Sequence, residues 1–234
     1  KYLDSGNEAR IKKAYESRDP RLQMAIITPY AQYNGASSGI AHTYTLRWPY
    51  RGSDSAEPFD IRTDTNDKFY YLWRKFVPEG LEQTERDTYG LDIPLIRYAE
   101  VLLLKAEALN EWGSTHESEA IRCVNEVRRR AGHVELNNAT YPATKVNGQS
   151  DLRERIRNEY YWEIGGEDSM YFHELRWGTW KDKKFDNNRN GLMQMWGETT
   201  YTWYWLGDQC WSWPIPAKEM EMNSNLEQNE GWIN

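Results

Sequence analysis

Residues 94–112 read PLIRYAEVLLLKAEALNEW, and the fold class of the chain follows from them. The apolar positions recur at intervals of three and four residues, which is the spacing of one face of a helix. This stripe consists of Leu95, Tyr98, Ala99, Leu102, Ala106 and Leu109. Proline near the start favours helix initiation, and Gly113 favours termination. We therefore predict a helix over 94–112.

A second helix is predicted directly after the first. Ser114 and Glu117 have the three-residue spacing of a capping box, and Gly132 marks the end. The apolar stripe consists of Ala120, Val124, Val127 and Ala131. Small residues on both stripes let two antiparallel helices approach closely, and the pair has the proportions of one tetratricopeptide-type repeat of about 34 residues. The predicted fold class is mainly α, with tetratricopeptide-like helix pairs in an α–α superhelix and long irregular loops rich in aromatic residues.

A third helix is predicted from Asp151 to Ile164, closed by the glycine pair at 165–166. Its apolar positions are Leu152, Ile156 and Tyr160. Helix-pair repeats need about three copies to bury their outer faces. We therefore expect cover either from flanking helices outside this chain or from the aromatic C-terminal segment.

The N-terminal segment is predicted to be a short helix followed by an extended stretch. Ser5 and Glu8 form a capping box, and the helix should stop before Pro20, because proline disfavours helical geometry in the preceding residue. On one face of this helix lie Ile11, Ala14 and Tyr15. Residues 21–27 are predicted to be extended or a short strand, and aromatic residues over 69–77 favour β structure.

From residue 28 to residue 68 no periodicity is visible, and glycine and proline alternate with aromatic residues. A loop of about forty residues is long for a compact domain and indicates either a functional loop or disorder. The aromatic content argues against disorder. We therefore interpret residues 28–68 as a ligand loop.

The composition excludes several classes of protein. The 234 residues carry a net charge of −7 and have an isoelectric point near 5.3, which argues against nucleic-acid binding. Runs of apolar residues, such as residues 101–104, are far too short to span a membrane. Tryptophan is unusually common, and nine of the twelve tryptophans lie from Trp162 onward.

The sequence contains no recognised catalytic motif. A nucleophile elbow, an H-E-x-x-H helix, a P-loop and a dinucleotide-binding glycine pattern are all absent. Carboxylates are plentiful, so a glycosidase pair is the enzymatic alternative. Most of them lie on the polar faces of predicted helices, where solvated surface is the usual role, and we expect no catalysis.

No cofactor is expected, with calcium as the one alternative. The start of an EF-hand loop is reproduced by Asp186, Asn188, Asn190 and Gly191. However, the twelfth position is Gly197, and Glu198 comes one residue late. A surface turn therefore explains the Asp186–Gly191 loop better than a metal site does.

The two cysteines, Cys123 and Cys210, do not form a disulfide framework or a zinc pattern. One bridge between them is an alternative, but two buried free thiols are the favoured interpretation.

The aromatic loop is the strongest candidate binding site. A flat Tyr or Trp ring covers the C–H face of a sugar without desolvating its hydroxyls, and Asn, Asp or Arg pair with the rim. The loop supplies these types at Tyr30, Tyr33, Asn34, Trp48, Tyr50, Arg51 and Asp54. In the alternative, these aromatic residues pin the loop onto the helices as a satellite core, and packing is favoured for Trp211 and Trp213. A binding role predicts that Trp48→Ala weakens glycan affinity by about 1–3 kcal/mol without unfolding the chain.

Several short motifs follow one another in a distinctive order. They are RDPRL (18–22), RKF (74–76), PLIRYAEVLL (94–103), AEALNE (106–111), VRRRAG (127–132), LR with Ile156 and Glu159 (152–159), RWG (176–178), PIPAKE (214–219) and NLEQNEGW (225–232). In this order and spacing they resemble the C-terminal part of the SusD/RagB family, nutrient-binding lipoproteins of the outer membrane of Bacteroidetes. The resemblance extends over nearly the whole chain, from Glu8 to Trp232.

The resemblance implies capture and not catalysis. Family members are built around tetratricopeptide-type helix pairs, bind oligosaccharide or polysaccharide at the cell surface, and cover a SusC-like TonB-dependent transporter. It also implies that residues 1–234 are the C-terminal domain of a longer protein, attached to the membrane only through an N-terminal lipid anchor absent from this chain.

One motif departs from the family pattern. Where members commonly have E-G-x-R-x-x-D-L, this chain has EDSMYFHE at 167–174, which changes the residues of a buried ion pair but not the fold. Two other functions are open: a helical-repeat protein-interaction module, and a family member that binds a non-sugar nutrient such as peptide.

Overall fold

The structure, a computed structural model, describes residues 8–37, 40–47, 60–62, 72–80, 90, 92–167, 169–185 and 204–232. The chain divides into two compact units, Lys1–Met170 and Tyr171–Asn234. The α-helices are α1 (Glu8–Glu16), α2 (Pro20–Ala25), α3 (Tyr98–Trp112), α4 (Glu117–Arg130), α5 (Gln149–Ile164), α6 (Ser169–Arg176), α7 (Trp180–Lys184) and α8 (Ala217–Met222). The strands are β1 (Ile26–Ile27), β2 (Gln32–Ser37), β3 (Ile40–Arg47), β4 (Asp60–Arg62) and β5 (Leu72–Trp73).

Helices α3, α4 and α5 form the helical core of the first unit, and α3 packs against both of the others. Ala106 of α3 and Ala120 of α4 have no exposed surface, so the two backbones approach closely at these positions. On α5 the predicted apolar positions are fully or almost fully buried: Leu152, Ile156 and Tyr160. The helix-rich fold class predicted from the sequence is confirmed.

The start of α3 differs from the prediction. The helix begins at Tyr98, and Arg97 before it has an extended backbone. Leu95 is 91% exposed and Tyr98 is 68% exposed, so the first two positions of the predicted stripe do not belong to the core. The Ser114–Glu117 capping box does not form either, because Ser114 starts a short 3-10 turn without a side-chain cap.

The prediction of an extended segment over 21–27 is wrong for most of its length. Residues 20–25 form α2, and the Asp19 side chain caps it by accepting a hydrogen bond from the Arg21 N–H at 2.9 Å. Pro20 occupies the first turn, where its missing N–H costs nothing. Residues 26–27 are a strand, as predicted, and pair antiparallel with β5.

The prediction of an irregular loop over 28–68 is also wrong where the structure describes this range, at residues 28–37, 40–47 and 60–62. Strands β2 and β3 form an antiparallel hairpin with register Gln32↔Thr45, and β4 adds to β3 in parallel. A small core of Ile27, Tyr33 and Leu46 lies beneath the hairpin. Aromatic side chains that pack on one face of a sheet stabilise that sheet. This packing corresponds to the satellite-core alternative for the region.

Among the described residues of the second unit, five aromatic rings contact one another in series. Successive ring centroids lie 4.9–6.0 Å apart in a chain of contacts through Tyr171, Trp180, Phe185, Trp205 and Trp211. The packing role predicted for Trp213 is wrong, because this residue is 77% exposed.

Both cysteines are free thiols, Cys123 buried and Cys210 only half-buried, so burial is confirmed for the first alone. Within the described part of the chain, no helix has both the length and the apolar character needed to cross a bilayer.

Candidate functional site

A groove of about 520 Å³ opens in the first unit where α1, α2 and the β2–β3 hairpin meet. We call it the aromatic groove and define it by Tyr15, Tyr30, Gln32, Thr45 and Arg74. It combines two half-buried phenol rings with amide, hydroxyl and guanidinium groups, and Lys12 and Glu16 add an ammonium and a carboxylate to its lining. Aromatic surface with a few convergent polar groups is the usual lining of a ligand site.

Tyr30 is held in the groove by a turn that normally requires glycine. The Ala31 N–H donates to the Thr28 carbonyl at 2.9 Å, which closes a four-residue turn with Pro29 at its second position. Tyr30 occupies the third position with φ 63°. Such a positive φ costs an L-residue about 1–2 kcal/mol. A bulky residue kept in this conformation is typical of functional positions.

The hairpin fixes this turn from the other side. The Tyr30 N–H donates to the Leu46 carbonyl at 2.8 Å, and the Leu46 N–H donates to the Ala31 carbonyl at 3.0 Å. Leu46 is fully buried, so the turn is anchored to the core. The positive φ of Tyr30 is therefore imposed by the surrounding structure.

One face of the hairpin is polar and continues into the groove. Because strand residues alternate between faces, Gln32 and Asn34 lie on the same side of the hairpin as their cross-strand partners, Thr45 and Thr43 respectively. The Thr43 hydroxyl donates to Asn34 Oδ1 at 2.9 Å. This face offers amide and hydroxyl groups suited to the hydroxyl rim of a sugar.

Arg74 forms a wall of the groove and is committed to internal bonds. It donates to the Gln23 carbonyl of α2 at 3.0 Å and to the Gln32 carbonyl of β2. Two further bonds at 2.6 Å reach the Glu79 carboxylate, and they lower the pKa of Glu79 below its usual range. Arg74 therefore holds helix and hairpin together, which keeps the groove in shape.

The predicted site residues separate into three groups. Tyr30 lines the groove, and Asn34 lies on the polar face just outside it. Tyr33 does not present a ring to ligand: it is 4% exposed and its hydroxyl donates to the Pro78 carbonyl. Outside the described residues lie the other four, Trp48, Tyr50, Arg51 and Asp54.

Sequence reasoning missed four residues of the groove: Tyr15, Gln32, Thr45 and Arg74. The alternation of polar and aromatic residues along 32–34 and 43–45 was a signal for the hairpin and hence for Gln32 and Thr45. Tyr15 was placed correctly on a helix face, but no local pattern connects it with Arg74.

The charged residues of the motifs meet in a buried ion cluster. Arg21, Arg97 and Arg130 all contact the Glu163 carboxylate. Burial acts to raise the pKa of Glu163, but hydrogen bonds from Arg97 and Arg21 outweigh it and lower the pKa. Glu159 is also buried, but its pKa is raised, because the effect of desolvation is larger than that of its arginine partners.

Glu167, the first residue of the motif at 167–174, keeps the identity common in the family and forms ion pairs that do not involve the altered positions. Glu167 contacts both Lys75 and Arg97. In the described part of the chain, no group of three or more His, Cys, Asp or Glu side chains is arranged to hold a metal ion. The Asp186–Gly191 loop proposed as a calcium alternative lies outside that part.

Comparison with known proteins gives a consistent result. The sequence matches the SusD family over residues 3–232. It is 32% identical to SusD-like protein P38 of Formosa agariphila over 139 residues, 59% of this chain and 24% of the relative. It is 28% identical to the starch-binding protein SusD of Bacteroides thetaiotaomicron over 161 residues, 68% of this chain and 25% of the relative.

Solved structures agree on the fold. A SusD-like protein from Bacteroides fragilis superposes with a TM-score of 0.61 at 22% identity, covering 94% of this chain and 40% of the other. A SusD homologue from Bacteroides thetaiotaomicron gives a TM-score of 0.56 at 21% identity, covering 95% and 42%. The chain matches about a quarter of the length of its curated relatives. The resemblance drawn from the motifs is confirmed, and the chain belongs to the SusD family.

Proposed function

We propose that this protein binds oligosaccharides for nutrient uptake and does not transform them, with the aromatic groove as a binding site. The observation that carries the proposal is Tyr30, a phenol ring held at φ 63° in a groove that also contains Tyr15. Gln32 and Thr45 supply the hydrogen-bonding rim. A relative whose name states that it binds starch supports the same class of ligand.

The cellular setting belongs to the same proposal. Membership of the SusD family supports delivery of the bound saccharide to a SusC-like TonB-dependent transporter. It also supports a location at the outer face of the outer membrane, with attachment through a lipid anchor.

The test is isothermal titration of the protein against neutral and acidic oligosaccharides and against peptides. Saturable binding of a saccharide, with unchanged saccharide recovered after hours of incubation, is the expected result. Binding of peptides alone would favour the non-sugar alternative. Release of shorter sugars would revive a glycosidase, and binding of a transporter without any small ligand would favour an interaction module.

A variant pair places the binding site. Tyr30→Asn removes the groove ring and keeps a residue that tolerates positive φ. Tyr141→Asn is the matched control, because Tyr141 is 53% exposed, has an ordinary φ of −121° and does not line the groove. Affinity should fall in the first variant only.

A further inference from the structure

A second, smaller cavity lies at the buried ion cluster of the first unit. Its volume is about 150 Å³, and we call it the basic pocket. The residues that define it are Arg21, Lys75, Arg97, Arg130, Trp162 and Glu163. Four cations and one carboxylate therefore line the same space.

The charges around the basic pocket do not balance. Arg97 Nη1 lies 2.9 Å and Arg21 Nη1 lies 3.1 Å from Glu163, and Arg130 contacts the same carboxylate. The cations of the surrounding cluster are Arg21, Lys75, Arg97, Arg128 and Arg130, and its carboxylates are Asp19, Glu159, Glu163 and Glu167. Among the described residues joined by these ion pairs, five positive groups therefore face four negative ones, an excess of one positive charge.

The basic pocket is accessible from solvent at one end. The Arg21 and Glu163 side chains are 9% and 2% exposed, so they form a buried floor. The Arg130 side chain is 60% exposed, and Trp162 is 45% exposed at the mouth. An anionic group that enters this end first meets the guanidinium of Arg130, whose Nη2 donates to Glu163. Guanidinium groups bind oxyanions in bidentate geometry.

Size and lining select the kind of anion. The cavity is smaller than the 300–1,000 Å³ usual for drug-sized ligands, so it suits one charged group together with part of the ring that carries it. The Trp162 indole offers that ring an apolar contact, although Arg128 lies 5.7 Å from the indole centroid.

The basic pocket is a neighbour of the aromatic groove. Gln23 of α2 and Arg74 line the groove, whereas the next residues, Met24 and Lys75, line the basic pocket. The two cavities therefore share the backbone of α2 and of the segment after β5 as a common wall.

We propose that the basic pocket binds the oxyanion of an acidic sugar, either the carboxylate of a uronic acid or a sulfate ester. The inference rests on the proposed function, because it specifies the class of saccharide as anionic. A purely structural ion cluster would show no selectivity among small anionic and neutral sugars.

The first experiment observes the guanidinium groups directly. The Nε–Hε NMR signals of Arg21, Arg97 and Arg130 are followed during titration with sodium galacturonate, with galactose 6-sulfate and with galactose, at constant ionic strength. Galacturonate or the sulfate ester should shift these signals in a saturable manner, and galactose should not. The two acidic sugars separate a carboxylate site from a sulfate site. Absence of any saturable shift with both overturns the proposal.

The second experiment compares two neighbouring arginines. Arg130→Gln should weaken binding of the acidic sugar about tenfold, since one charge-assisted bond is lost. Arg129→Gln is the matched control, because the Arg129 side chain is 64% exposed and pairs with Glu135 outside the pocket. Equal loss in both variants would indicate a general effect of charge and overturn the site.

The outcomes also separate this inference from the proposed function. Neutral oligosaccharides that bind in a Tyr30-dependent manner, without an arginine response to acidic sugars, would eliminate the basic pocket alone. An arginine response without binding of any oligosaccharide would support the pocket and eliminate oligosaccharide capture.

Discussion

Tyr30→Asn tests the aromatic groove at a moderate cost in stability. Tyr30 lies at φ 63°, where an L-residue costs about 1–2 kcal/mol, and asparagine tolerates this conformation better than tyrosine. The phenol ring is half-buried, so its removal loses roughly 60–100 Å² of apolar contact, or about 1.5–2.5 kcal/mol. The two effects oppose each other. We expect the free energy of unfolding to fall by about 2 kcal/mol at most.

The effect on binding is estimated from the ring surface that a sugar covers. A contact of roughly 40–80 Å² at about 25 cal/mol per Å² gives about 1–2 kcal/mol, which is a 5- to 30-fold increase in Kd. Isothermal titration with the saccharide that binds most tightly measures this change. Urea unfolding of the same preparations measures stability.

Either of two results would refute this reasoning. An unchanged Kd would show that the groove is not the site. A stability loss above about 3 kcal/mol would show that Tyr30 is a packing residue, because losses of this size are typical of truncated core side chains. Tyr141→Asn should change neither quantity, which excludes a general effect of losing an exposed tyrosine.

Three further predictions concern the fold that holds the site. Tyr33→Ala should lower the free energy of unfolding by about 3–5 kcal/mol in urea titrations, because its ring is buried in the core beneath the hairpin; a loss below about 1 kcal/mol would contradict that placement. Gly166→Ala should cost more than Gly132→Ala: both glycines have positive φ, but only at Gly166 would a Cβ lie 2.7 Å from the Trp73 ring. We expect about 1–3 kcal/mol against about 1 kcal/mol, and equal melting temperatures would refute the contact. Acid should destabilise the protein as the pH falls below about 4, because the pKa values of Asp19 and Glu163 are lower in the folded chain than in the unfolded chain. The two carboxylates therefore contribute stability above the unfolded pKa, and this contribution is lost as the pH falls through the folded pKa. Glu163→Gln should therefore be less stable at pH 7 and show a smaller loss between pH 5 and pH 3; an unchanged slope would contradict the assignment.

The helices could be predicted from the sequence because their signal is local. In α3 to α5, apolar residues recur at the helical period and the same positions are buried, as at Leu102, Val124 and Ile156. Helix starts were less predictable. Asp19-Pro20 both ends one helical segment and caps the next, and the same two residues are compatible with either role.

The hairpin could not be recognised as easily, although its pattern is present. Tyr33 and Tyr44 alternate with polar neighbours at the strand period. Glycines within and beside the strands, such as Gly35, weaken that pattern and suggest a loop. The Cβ that Gly35 lacks would lie 2.5 Å from the Tyr33 ring, so this glycine makes room for an aromatic side chain.

The candidate site shows a sharper limit. Tyr30 and Tyr33 are the same residue type three positions apart, yet one lines the groove and the other fills the core. The difference comes from the positive φ at Tyr30, which redirects the chain between them. Because that φ is imposed by bonds to Leu46 in the partner strand, only the tertiary structure distinguishes the two tyrosines.

The hydrogen bonds that hold the fold together also determine at which residues a substitution can test binding alone. Arg74 and Lys75 are adjacent, and they tie the segment after β5 to different helices. Arg74 bonds to α2 and to β2 of the hairpin, and Lys75 bonds to the Glu163 and Gly165 carbonyls at the end of α5. Each also lines one of the two cavities. Replacing either residue would therefore alter folding and binding together, and a loss of affinity would have no unique cause. Tyr30, in a turn that asparagine also accommodates, and Arg130, with a mostly exposed side chain, are the positions where the two effects separate.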